Sequence, residues 1–354
     1  MDFGVPREVR PGEHRVGLSA PGVDALVRGG HRVLVERGAG AAAGFSDDEY
    51  RQAGALVVYS AEEVWRRAAV VVKVSRPTAD EHAFFAGQTL LAFLHLSVAS
   101  PDLREALRRA RVTAIAAEMI QTEDGAFPVL QPTSEVAGRL APVIAGGLLE
   151  THVPGLPDPD QMGRGILLSG IPGVPPANVV ILGAGVVGSN AARAFLGAGA
   201  QVTVLDKDPA RLRRLDAACA GRVVTMLATP YHIAKAVAFA DVLIGAVYVV
   251  GQRAPVLVTR EMVRTMRPRA VIIDFSIDQG GCVETSRPTT HRDPVFIAEG
   301  VIHYCVPNVP ARVARTASHA WSNAVLPYLL LIGERGVEDA LLRCAALAAA
   351  VVRP

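Results

Sequence analysis

The chain has 354 residues, half of them hydrophobic and a fifth charged, which is enough for two domains of ordinary size or one large one with a substantial core. A formal charge of +2 gives no reason to expect nucleic acid or an anionic membrane as partner. No apolar run reaches the roughly 18 residues of a membrane span. No secretory leader opens "MDFGVPREVR", and cysteines 219, 282, 305 and 344 are scattered without CxxC or metal-ligand spacing. A cytoplasmic protein without a bound metal is expected.

In chain order, "PGVDALVRGG" (21–30) places Val23, Leu26 and Val27 on one helical face and stops at Gly-Gly. "HRVLVE" (31–36) reads as a strand. "VVVKV" (70–74) and "LLAFLHL" (90–96) are continuous apolar strands of the kind buried on both faces of a parallel sheet. The segment to about 130 is therefore α/β. "TSEVAGRLAPVIAGGLLE" (133–150) reads as a helix capped by Thr133 or Ser134, with Glu135 close behind. Residues 151–163 and 170–178 are proline-marked breaks. The pattern then restarts as strand, glycine turn, helix, strand and acid over 178–206. "DVLIGAV" (241–247) and "AVIIDFSI" (270–277) add strands. Residues 308–354 read as helices without a strand of their own, packing back on the first domain.

The glycine turn carries the clearest chemistry. Gly183, Gly185 and Gly188 form a GxGxxG, with Val186 and Val187 inside it, between a strand and a helix. Gly183 allows the tight turn, Gly185 lets backbone approach a pyrophosphate, and Gly188 lets the helix sit close on the sheet. Asp206 ends the next strand, where a carboxylate accepts from ribose hydroxyls and repels a 2′-phosphate, favouring NAD over NADP. Lys207 and Arg211 weaken that preference.

Three other residues stay open on the sequence alone. His95 is either a core histidine bonded to backbone or a proton carrier at a strand end. Arg15 is a loop cation or a bidentate carboxylate clamp. Asp278 caps a turn or belongs to a site. Lys73 is one of only three lysines against 33 arginines, and it lies in an apolar strand two residues before Ser75.

Together these stretches resemble the alanine dehydrogenase family, which includes the nicotinamide-domain subunits of pyridine nucleotide transhydrogenase. The resemblance is carried by "GVPREVRPGEHRVGLSAPGV" (4–23), "FLHLSVAS" (93–100), "PTSEVAGRLA" (132–141), "VVILGAGVVGSNAAR" (179–193), "DFSIDQGGCVETSRPTTHRDPVF" (274–296) and "YCVPNVPARVARTAS" (304–318). It implies two Rossmann-like α/β domains with doubly wound parallel sheets. An NAD-binding domain, 134–306, is inserted in a discontinuous substrate domain, 1–133 and 307–354. The resemblance further implies that Arg15 holds a substrate carboxylate, that His95 is the acid/base and that Asp278 lies by the nicotinamide. Asn308, Ser134 and Val247 fall on the cofactor side, with Asn308 also by the substrate. A homo-oligomer, hexamer or dimer, is expected on the same basis.

The family typically reads K-V-K-E-P where this chain reads Lys73-Val74-Ser75-Arg76-Pro77. Lys73 matches the first lysine and a supporting role, and both Lys73 and Ser75 are expected among the substrate-binding residues. The second lysine, which polarises the substrate carbonyl, is replaced by Ser75, whose uncharged hydroxyl cannot stabilise a developing alkoxide as an ammonium does. The chain also ends early against the family, and residues 152–161 read as an insertion. The expected function is therefore an NAD-dependent amino-acid dehydrogenase or imine reductase acting on an amino-acid, keto-acid or imine substrate other than plain alanine or pyruvate. The alternatives are a catalytically degenerate NAD-binding protein and a transhydrogenase-like subunit.

Overall fold

The computed structural model describes residues 1–96, 99–153, 156, 162–249 and 252–352, in two compact units, Met1–Thr133 with Pro310–Pro354 and Ser134–Val309. Strands of the first unit are β1 (Asp2–Val5), β2 (Arg32–Glu36), β3 (Leu56–Val58), β4 (Val70–Ser75), β5 (Thr89–Phe93) and β6 (Thr113–Ala116). The second unit contributes β7 (Asn178–Leu182), β8 (Gln201–Asp206), β9 (Val224–Leu227), β10 (Val242–Gly245), β11 (Val271–Asp274), β12 (Val295–Ala298) and β13 (Val301–Tyr304). The chain then returns to the first unit and adds β14 (Val351–Val352).

The first sheet runs β14-β6-β5-β4-β1-β2-β3 and the second β12-β13-β11-β10-β7-β8-β9. All pairings are parallel except β14 on β6 and β12 on β13. Helices on both faces bury the central strands completely, which is why Val70–Val72 and Val179–Leu182 read as unbroken apolar runs. Each sheet reverses its strand order once, between β1 and β4 in the first unit and between β7 and β10 in the second. In such sheets ligands bind beyond the carboxyl ends of the strands at that reversal.

Three details depart from the sequence reading. The helix Leu130–Leu149 starts before Thr133 and Ser134, so neither is its cap. Pro132 lies in its first turn, where a missing N–H costs nothing. β5 stops at Phe93, short of His95 and Leu96, because the chain there turns to a side-chain acceptor instead of a neighbouring strand. The tail does carry a strand: Val351 and Val352 pair antiparallel with Ile115 and Ala114 after the helices Ala314–Arg335, Val337–Arg343 and Ala345–Ala350. The loop read as inserted lies mostly outside the described residues.

Candidate functional site

In the first unit, the segment after β1 folds across β4. Gly17 permits this approach, since a Cβ there would come within 2.2 Å of the Val72 carbonyl oxygen. The crossing brings Glu8, Glu13 and Arg15 to Lys73 and Ser75, at the strand reversal. Arg15 donates Nε and Nη2 to Glu13 at 2.8 and 2.7 Å, a bidentate pair in which both side chains are almost fully buried. The Ser75 hydroxyl donates to the same carboxylate, 2.6 Å from Glu13 Oε2. Burial would raise the Glu13 carboxyl, but the Arg15 charge and the hydrogen bonds from Arg15 and Ser75 outweigh it and hold the pKa at about 2.

Lys73 is completely buried, with Nζ 2.7 Å from Glu81 Oε1 and 3.2 Å from Glu8 Oε2. Burial disfavours its charge, yet the two carboxylates raise its pKa and keep it an ammonium. Glu81 also accepts from the Thr78 backbone N–H, and Glu8 from the Val74 N–H at 2.6 Å. Lys73 thus ties two segments, the one after β1 and the one after β4, to the strand, a supporting role that explains why a charge stands in an apolar strand. Burial, with repulsion from Glu13 and Glu81, raises the Glu8 carboxyl against the pull of Lys73. Across the cluster three carboxylates face two cations, and position 75 adds no third.

His95 lies just past β5 with φ 43°, a left-handed conformation that costs a non-glycine residue about 1–3 kcal/mol. Its imidazole is half-buried and stacks on Phe93, with ring centroids 5.7 Å apart, and Phe93 in turn meets Trp321 edge-on. His95 and Leu94 donate their backbone N–H groups to Glu118 at 2.6 and 3.1 Å.

In the second unit, the glycine turn follows β7 at the reversal. Gly183 has φ 105°, and a Cβ on it would sit 2.4 Å from the Ala246 carbonyl oxygen; one on Gly188 would sit 1.8 Å from the Gly183 oxygen. Gly185 caps the helix Val186–Gly197, and the space beside it is open, with Arg211 Nη1 the nearest group at 3.9 Å from a built Cβ. Helix N–H groups without intrahelical partners, a positive dipole end and room for a close approach fit a pyrophosphate. Asp206 is buried and accepts from Ala184 N at 2.6 Å and from Asp208 N at 2.8 Å. It therefore fixes the turn to β8, and each oxygen keeps a second lone pair for a ribose hydroxyl.

Asp278 is exposed in the turn after β11, and its carboxylate accepts from the Asn308 backbone N–H at 3.2 Å. Asn308 has φ 58°, so this side too holds a non-glycine residue in a left-handed conformation. Val247, just past β10, donates its N–H to Ser276 Oγ at 3.0 Å. Ser134 is half-buried at the start of the long helix, four residues before Gly138, where a Cβ would come within 2.4 Å of the Val187 oxygen. Residues expected on the cofactor side, from the ends of β7, β8, β10 and β11, are thus carried by one unit.

Sequence reasoning missed Glu8, Glu13, Glu81, Glu118 and Ser276. Glu118 carried a usable signal, an acid two residues past the end of the apolar strand "TAIA", close to the strand-end placement that singled out Asp206. Glu8 and Glu13 lie inside the stretch 4–23 that carries the resemblance, where nothing in the sequence pairs them with β4.

The Alanine dehydrogenase/PNT N-terminal domain model matches residues 4–137, and the corresponding C-terminal domain model matches 158–353. Alanine dehydrogenase from Halomonas elongata is 45% identical over 342 residues, covering 96% of this chain and 90% of the relative. The Bacillus subtilis alanine dehydrogenase is 45% identical over 343 residues, 96% and 88% of the two chains. A solved L-alanine dehydrogenase superposes with a TM-score of 0.92 at 45% identity, covering 99% of this chain and 94% of that one. A transhydrogenase from Sinorhizobium meliloti superposes at 0.79 with 26% identity, covering 94% and 95%.

Proposed function

Because this chain belongs to the alanine dehydrogenase/PNT family and is an NAD-dependent oxidoreductase acting on a CH–NH2 group, we propose that it interconverts an amino acid and its keto acid or imine, with Arg15 and His95 at the substrate and Asp278 on the nicotinamide side. NAD, when bound, accepts the hydride from the amine-bearing carbon. Arg15 orients the substrate carboxylate while Glu13 holds one edge of its guanidinium. His95 receives the proton released as the amine carbon is oxidised and returns it in the reverse direction. Asp278 and Asn308 steady charge beside the ring, and Gly183, Gly185, Val186, Val187, Gly188, Asp206, Ser134 and Val247 hold the dinucleotide. Arg15 and His95 stand on the carboxyl side of the first sheet and the glycine turn stands at the reversal of the second, which supports this division of labour.

The names of the relatives make alanine the first substrate to try. One observation points elsewhere: the Ser75 hydroxyl is spent on Glu13 at 2.6 Å, where the family resemblance expects an ammonium for the carbonyl oxygen. An imine substrate already carries its positive charge and tolerates a serine there. A bulkier or preformed-imine substrate is therefore the reading Ser75 favours. The test is a screen of amino acids, keto acids with ammonia, and cyclic imines, followed by reduced-nicotinamide absorbance; alanine as the best substrate by far would remove the imine reading. The same proposal expects a homo-oligomer in a reducing cytoplasm, in keeping with four free cysteines.

A further inference from the structure

The parallel ladder between β5 and β6 ends at Ala92 and Ala116. Beyond it the next donors on the β5 side, the N–H groups of Leu94 and His95, have lost the strand that would accept them. A buried backbone donor left in that state is costly, and structures almost always supply a partner. Here the partner is one side chain. Glu118, 5% exposed in the turn just after β6, takes Leu94 N on Oε2 at 3.1 Å and His95 N on Oε1 at 2.6 Å. Two successive N–H groups thus close on one anion, as in a backbone nest. The chain leaves this anchored pair through His95, at φ 43°. A short segment with a glycine or asparagine would adopt this turn with less strain. The strain instead falls on a residue with a titratable ring, and that ring is then set against Phe93.

We propose that Glu118 is a positioning residue for His95: its carboxylate anchors the backbone at 94–95 on which the strained turn is built, and so sets the place of the imidazole. The inference rests on His95 being the proton carrier. It differs from a purely structural role in one respect: all of its effect on turnover passes through the imidazole. Glutamine at 118 offers only one acceptor oxygen and turns an NH2 group toward one of the two donors. Aspartate keeps both acceptors and the charge on a shorter arm.

Three variants of the full-length protein test this: Glu118→Gln, Glu118→Asp and His95→Ala, plus the double variant His95→Ala/Glu118→Gln. Glu118→Gln should lower kcat about 10- to 100-fold, the scale of an ångström misplacement, with NADH affinity within about twofold of the parent, and Glu118→Asp should recover part of the loss. In the His95→Ala background the same glutamine should change kcat by less than about twofold, because the group it acts through is gone. Wild-type kcat in Glu118→Gln, or an undiminished loss in the His95→Ala background, overturns the inference. His95→Ala with unchanged turnover defeats the proton-carrier reading itself, a separate result. Should the glutamine variant fold poorly, hydrogen exchange in the wild type decides. The Leu94 and His95 amides should be as protected as those of β5, and exchange at the rate of an open loop refutes the bridge.

Discussion

Ser75→Lys is the most informative change, because the structure defines what the new ammonium would meet. Ser75 Oγ stands 2.6 Å from Glu13 Oε2, and Glu13 is already held by Arg15 at 2.7 and 2.8 Å. A lysine at 75 would place a second cation about 4 Å from that carboxylate, worth roughly 4 kcal/mol of gross attraction at an effective dielectric near 20. Desolvating the ammonium costs several kcal/mol, so folding stability should move little. The charge balance of the cluster changes more: three carboxylates against two cations become three against three. An added preorganised charge facing a developing oxyanion is worth on the order of 3 kcal/mol, about 10²-fold in rate. Reductive amination of pyruvate should therefore rise in Ser75→Lys, and activity on an imine substrate should fall through like-charge repulsion. Both are read from NADH consumption with saturating ammonia. The unmodified protein provides the refutation. If it interconverts alanine and pyruvate at about 10 s⁻¹ or faster, an ordinary enzymatic rate, Ser75 does not carry the meaning given to it and another group has taken over the ammonium's task.

Asp206 should make NADH bind at least ~10-fold more tightly than NADPH; calorimetry returning equal affinities would remove that assignment, and Asp206→Ala should narrow the gap while loosening the turn at Ala184. His95→Ala should lower turnover by about 10²-fold or more with NADH affinity little changed, and normal turnover would return His95 to a packing role. His303 is fully buried between Thr285 and the Val301 carbonyl, and burial lowers its pKa from 6.5 to about 4. A group depressed in the folded state stabilises above its unfolded pKa and loses that contribution as pH falls, so the window is pH 6.5 to 4. At pH 5 the loss is about 2 kcal/mol, visible as a lower urea midpoint than at pH 7; His303→Gln should flatten that interval, and an unchanged slope would show that His303 titrates normally in the fold.

What was legible in the sequence follows from where the physics is local. A glycine turn is forced by contacts a few residues away, as the 1.8 Å approach between Gly188 and the Gly183 oxygen illustrates, so its spacing alone exposes it. The buried parallel strands declare themselves through unbroken apolar runs for the same reason. The short strand Val351–Val352 was hidden because its partner, β6, lies more than two hundred residues away and no two-residue run carries a period. The limits of the "FLHL" strand were hidden too, since its end is decided by Glu118, more than twenty residues downstream. The candidate substrate site shows the same division more sharply. Arg15, Lys73, Ser75 and His95 stood out as unusual residues, but their meaning lies in carboxylates that nothing in the sequence pairs with them. Lys73 alone could have been a catalytic ammonium; with Nζ 2.7 Å from Glu81 and 3.2 Å from Glu8, and no exposed surface, it cannot present its charge to a substrate without leaving both. The ammonium that the family resemblance places at position 75 would therefore have to come from elsewhere in the fold, or from the substrate itself.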